Sequence, residues 1–149
     1  MDINLKTITM DVKAKLSTAW LFVLLNVIFR DIHESISPAH LEEVMTGTVN
    51  GIQITEELLL LGAVLVEIPI AMVLLSRILN YRANRWANMI AGVLTILVVL
   101  SSVPADFDDI FFMIIEIVSL LLIIWYAWKW PKQEAQESFI TSDLSDVNI

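Results

Sequence analysis

Four stretches of the chain lack the alternation of polar and apolar positions that marks a helix on a water-soluble surface. They run as nearly unbroken apolar sequence: Leu16 to Phe29, Leu58 to Ser76, Trp86 to Val103 and Ile110 to about Trp130. At about 1.5 Å of rise per helical residue, a run of roughly 20 residues crosses a hydrocarbon core of about 30 Å. Three runs reach that length. The first has only 14 apolar residues and continues into Arg30-Asp31-Ile32-His33-Glu34. A basic start before a short apolar run could also be a signal peptide, but no well-placed small-residue cleavage site follows. The better reading is a first helix from about Val12 to Ser35 whose far third is polar.

Punctuation between the runs completes an all-α, polytopic reading, a bundle of four transmembrane helices over residues 16–131. The expected spans are about 14–35, 57–77, 85–103 and 109–130. Ser37-Pro38 suits a helix start, with Ser as cap and Pro in the first turn. Leu41, Val44 and Met45 then form one apolar stripe, so Pro38 to Thr46 is expected as a short surface helix with that stripe turned inward. Gly47 ends it, and Asn50-Gly51 is a turn signal. Thr55 followed by Glu56 and Glu57 opens the second span, and Pro104 breaks the third. Trp125, Tyr126, Trp128 and Trp130 cluster near the end of the fourth, as interfacial anchors do. Residues 1–15 read as a cytoplasmic lead-in and 132–149 as a disordered acidic cytoplasmic tail.

Composition narrows the functional classes. The chain is 57% hydrophobic, against about 45–50% for soluble domains, and has a mean hydropathy of +0.73. A net charge of −8 argues against nucleic acid as a partner. The absence of Cys removes disulfides and thiolate chemistry. No phosphate-binding glycine loop, nucleophile elbow or His-Glu-x-x-His signature occurs, and no cofactor is expected. Eight of the nine Lys and Arg fall on one side of a four-span topology, Arg30 being the exception. That places both termini in the cytoplasm of a multi-pass protein of the bacterial cytoplasmic membrane.

The polar residues inside the spans carry the candidate chemistry. Counted from the basic ends at about 1.5 Å per residue, Asn26, Glu67, Thr95 and Ser119 lie roughly 15–16 Å up. Arg30 and Glu116 come to roughly 20–22 Å, and His33, Glu56 and Asp109 to about 27–31 Å. Helical spacing groups them into four stripes expected to face inward. These are Asn26, Arg30, His33 and Glu34; then Gln53, Glu56, Leu60, Ala63 and Glu67; then Asn84, Asn88, Ala91, Thr95 and Ser102; then Asp109, Glu116 and Ser119. An Arg30–Glu116 pair across the first and last spans is expected, with Glu67 a turn deeper and without a cation at its own level. Glu67 must then be protonated, reach Arg30 through water, or meet a ligand. His33, Glu34, Asp108 and Asp109 could form a metal site at the mouth, though a solvated His is the plainer reading. Midplane Ser, Thr and Asn often serve only to bond neighbouring helices.

Several segments together resemble an uncharacterised bacterial family of small four-span membrane proteins, classed as a domain of unknown function. They are Phe29 to Glu34, Met45-Thr46-Gly47, Asn50 to Glu56, Glu67-Ile68-Pro69-Ile70, Leu74 to Arg77, Asn84 to Asn88 and Asp108 to Phe112. The resemblance implies a fold and no reaction. In architecture alone the chain is also similar to DoxX-like membrane proteins, from which no activity is borrowed. Three readings follow. One is a protein binding or passing a small polar or cationic ligand, or protons, through a polar cavity containing Arg30, Glu67 and Glu116. The second is a membrane-embedded acid–base enzyme, isomerase-like, using Glu67 or Glu116 with His33. The third is a structural or regulatory subunit. Against transport by one chain stands its size, an objection that a homo-oligomer would remove.

Overall fold

The computed structural model describes residues 2–49, 51–102 and 106–130, with the side chains of the first helix from residue 12 onward. Its elements are α1 (Asp2–Ser35), α2 (Pro38–Met45), β1 (Thr48–Val49), β2 (Ile52–Gln53), α3 (Glu56–Ile78), α4 (Tyr81–Ser101) and α5 (Phe107–Lys129). Four of the helices are long and apolar enough to cross a membrane: Val12–Ser35 of α1, and α3, α4 and α5. They form an all-α bundle in which α1 packs on α3 and α5, and α4 on α5 and α3. Four crossings bring the start of α1 and the end of α5 to one end, with Arg77, Arg82, Arg85 and Lys129. We call this the basic end and its opposite the α2 end.

The boundaries follow local chemistry. Ser37 caps α2, its Oγ accepting from the His40 amide at 3.4 Å, and Thr55 Oγ1 accepts from the Leu58 amide at 3.2 Å to start α3. Gly47 and Gly51 take φ of 77° and 75°, the left-handed region that suits glycine. Around Gly51 the chain closes a minimal antiparallel hairpin, Thr48 opposite Gln53 and Val49 opposite Ile52, where only a turn is expected from the sequence. Two further departures concern helix starts. α1 runs without a break through the expected lead-in. α4 begins at Tyr81, so that Arg82 and Arg85 stand on its first turns rather than in a connection; its opening bond runs from the Asn84 amide to the Asn80 carbonyl at 2.7 Å. Residues 132–149 and Pro104 lie outside the described residues.

Packing is uneven along the bundle axis. The buried core comprises Leu16, Trp20, Val23, Met72, Ala91, Val99, Leu120, Ile123, Ala127 and Trp130, and all but Val99 lie between the basic end and the middle. There α4 and α5 approach closely at Gly92, where a Cβ would stand 2.7 Å from Ile124 Cγ1. Small residues permit such approaches between spans. Towards the α2 end the bundle opens: every residue of α3 from Glu56 to Val64 is exposed.

The surface helix needs a correction. Leu41, Val44 and Met45 are exposed, while Ala39, His40 and Glu43 turn towards the bundle mouth. The stripe reading assumed that apolar residues seek the protein. At a membrane boundary they find lipid instead, and the polar face is left to cover the open end.

Candidate functional site

Two adjoining cavities occupy the open end. One, of about 500 Å³, is lined by His33, Glu34, His40, Glu43, Asp106, Asp108 and Asp109 among others. The second, of about 460 Å³, lies against Arg30, Asp31, Glu34, His40, Asp109, Ser101, Ser102 and Met113. Glu34, His40 and Asp109 border both, so the two form one vestibule. These volumes fall in the range of small-ligand sites, roughly 300–1,000 Å³.

α1, α2 and α5 supply most of the lining, because α1 stays helical through its polar far third and α5 opens with acids. The walls are tied by two histidine–carboxylate contacts. His33 Nδ1 lies 3.0 Å from Asp108 Oδ2, joining α1 to α5. His40 Nδ1 lies 3.7 Å from Glu34 Oε1, joining α2 to α1. Beneath them Arg30 Nη1 donates to Glu116 Oε2 at 2.8 Å. The Arg30 side chain is 13% exposed and that of Glu116 fully buried. The second Glu116 oxygen, Oε1, is buried without a hydrogen-bond partner among the described residues. A guanidinium thus stands at the vestibule floor with its counter-charge behind it.

Below the floor the polar side chains turn to their own helices. Thr95 Oγ1 donates to the Ala91 carbonyl at 2.8 Å and Ser119 Oγ to the Ile115 carbonyl at 2.7 Å, so both hydroxyls serve their own helices. Asn26 is half-buried and does the same, Nδ2 donating to the Phe22 carbonyl at 2.8 Å. It lines neither cavity.

Polarity returns near the basic end as a closed network that ties three helices. Trp20 Nε1 donates to Asn88 Oδ1 at 2.7 Å, and Ser76 Oγ to the same oxygen at 3.2 Å. Asn88 Nδ2 reaches the Asn84 carbonyl and Oδ1 at 2.8 and 2.6 Å, while Asn84 Nδ2 donates to the Ser76 carbonyl at 2.6 Å. Trp20, Ser76, Asn84 and Asn88 are all fully buried. The stripe of Asn84 and Asn88 was legible in the sequence; Trp20 and Ser76 were not. The available signal was Trp20 itself, since a buried indole N–H needs an acceptor.

The second span requires the main correction. Leu60, Ala63 and Glu67 are exposed, as is Glu56, and none of the four lines the vestibule. The side of α3 that faces the bundle carries Pro69, Met72 and Ser76. At about 100° per residue Glu67 stands about 160° from Pro69 and about 140° from Met72, on the opposite side. The expectation assumed that one chain supplies everything an intramembrane carboxylate needs. The helix instead sets its small and apolar residues inward, because those pack against α1. Ser17 Oγ of α1 reaches the Val73 carbonyl at 2.7 Å at that contact. Among the described residues no three His, Asp or Glu side chains converge as a metal ion would require.

Comparison with curated proteins and with solved structures finds no match. A family model does match, over residues 5–137, which takes in all four spans and the whole vestibule. That match covers most of the sequence: the chain belongs to DUF6326, a family of unknown function.

Proposed function

We propose that this protein binds a small polar or cationic molecule in the vestibule at the α2 end. The observation that carries the reading is the charge of the lining, where Asp31, Glu34, Glu43, Asp106, Asp108 and Asp109 surround a cavity with Arg30 at its floor. A cation entering such a cleft is drawn by several carboxylates at reduced dielectric, and a polar group on the same molecule could accept from the guanidinium. Passage of that ligand through a single bundle finds no support. Trp20, Val23, Leu120 and Ile123 fill the middle, and the nearby hydroxyls are committed to their own helices.

The basic end faces the cytoplasm in this reading and the vestibule faces outward, following the distribution of Lys and Arg. The membrane is then the cytoplasmic one. A second reading, an acid–base enzyme, draws on one contact: Asp108 orients His33 at the mouth, as a carboxylate orients a catalytic imidazole.

Calorimetry on the purified protein separates these readings. Putrescine and ethanolamine, as cationic probes, are expected to bind more tightly than acetate or glucose. Asp109→Asn or Glu34→Gln should weaken the amines about tenfold or more, the worth of one charge-assisted hydrogen bond. Binding of acetate alone, or amine binding indifferent to both substitutions, would count against the proposal. Turnover of a bound probe that disappears in His33→Gln would favour the enzyme.

A further inference from the structure

Glu67 stands at the centre of α3, with eleven residues of helix on either side, and points away from its own bundle. Its surroundings are regular. Leu60, Ala63, Glu67, Ile70, Leu74 and Arg77 recur at steps of three and four residues, and all six are exposed. This is the spacing of the contact seam between two helices that cross at a shallow left-handed angle. The exposure is large, 67% at Leu60 and 62% at Leu74, so nothing among the described residues covers the seam.

We propose that this face of α3 is the contact between two copies of the chain, related by a two-fold axis along the membrane normal. A carboxyl group at the middle of a span is costly in lipid, and Glu67 has no ion pair among the described residues of its own chain. Arg30, the one Lys or Arg among the described residues far from the basic end, is committed to Glu116 inside the bundle. Two copies inserted the same way run their α3 helices parallel, and a two-fold axis sets each seam against itself. Glu67 of one copy then meets Glu67 of the other at the same depth. A carboxylic acid is both donor and acceptor, so the identical group is a complete partner for it.

Ala63, one turn away on the seam, lets the backbones approach closely, while Leu60, Ile70 and Leu74 supply apolar contact above and below. One polar position in an otherwise apolar seam is also the device that fixes register and copy number. The contact lies on the side of α3 away from α1, independent of the vestibule. It would stand if the ligand proposal failed, and the reverse.

The absence of Cys makes the test direct. Single cysteines are placed in the full-length protein in native membranes and oxidised. Ala63→Cys and Leu74→Cys should give a disulfide-linked dimer. Leu61→Cys on the same helix and Leu100→Cys on α4, both exposed but off the seam, should not. In detergent, Glu67→Leu should raise the dimer dissociation constant about 3- to 30-fold, as loss of an interhelical polar contact does, while Glu67→Gln should retain the dimer. Equal cross-linking at Leu61→Cys and Leu100→Cys overturns the proposal. So does a monomeric mass at every concentration, or a different membrane protein cross-linked at Ala63→Cys in place of a second copy.

Discussion

Glu116→Gln is expected to be the most damaging single substitution at the vestibule floor. The wild-type pair is taken out of water on both sides, Glu116 completely and Arg30 nearly so. Removing one member of a buried pair leaves the other charge uncompensated, which costs about 3–5 kcal/mol. The carboxamide can still accept from Arg30, but it cannot neutralise the guanidinium. Replacing both partners by Met removes both desolvation costs and fits an apolar interior, so Arg30→Met with Glu116→Met should recover much of the loss. Thermal melts of the two single variants and the double in one detergent measure the coupling. A Glu116→Gln variant as stable as wild type would mean that the contact does not hold Arg30. The vestibule would then lack the floor argued for it.

The second large effect is expected at Asn88. Its side chain accepts from Trp20 and Ser76 and donates to Asn84, so it holds α1, α3 and α4 together. Asn88→Leu matches it roughly in volume and satisfies none of them. Trp20 Nε1 and Asn84 Oδ1 are then left buried without partners, while Asn84 Nδ2 keeps the Ser76 carbonyl. At about 1–3 kcal/mol for each unsatisfied group, the expected loss is roughly 2–5 kcal/mol. Ser76→Ala removes only one of the two donors to Asn88 Oδ1 and should cost much less. The contrast, measured by urea or thermal unfolding, distinguishes a network from simple packing. Equal losses at both positions would place the effect in volume rather than hydrogen bonding.

How far the sequence could be read depended on which force set each element. The four spans follow from apolar run length, which has no competitor in a bilayer, and their ends follow from Ser37-Pro38, Thr55 and the acids of α5. The depth of a residue along a helix is likewise arithmetic, and it brought Arg30 and Glu116 to one level. Which way a side chain faces is harder. On α1, α4 and α5 the polar residues share one side, so the polar stripe and the inward face coincide. On α3 two polar residues, Glu67 and Ser76, lie on opposite sides. The reading followed the charged one, whereas packing against α1 selected Pro69, Met72 and Ser76. A carboxylate is a sound sign that a surface needs a partner. It does not say that the partner belongs to the same chain. The apolar stripe of α2 misled for the complementary reason: in lipid, an exposed Leu41 is not misplaced.

The central claim is a vestibule open to water at the α2 end and sealed below Arg30. A scan of single cysteines in the naturally Cys-free chain addresses it most directly, with a membrane-impermeant thiol reagent applied to intact cells. Ser102→Cys and Met113→Cys line the vestibule and should label, more slowly when putrescine is present. Thr95→Cys and Ile123→Cys lie below the floor and should stay unlabelled, as should Tyr81→Cys at the basic end. Rapid labelling of Thr95→Cys or Ile123→Cys would contradict the account by showing that water passes the Arg30–Glu116 pair. Labelling of Tyr81→Cys with Ser102→Cys silent would turn the protein over in its membrane.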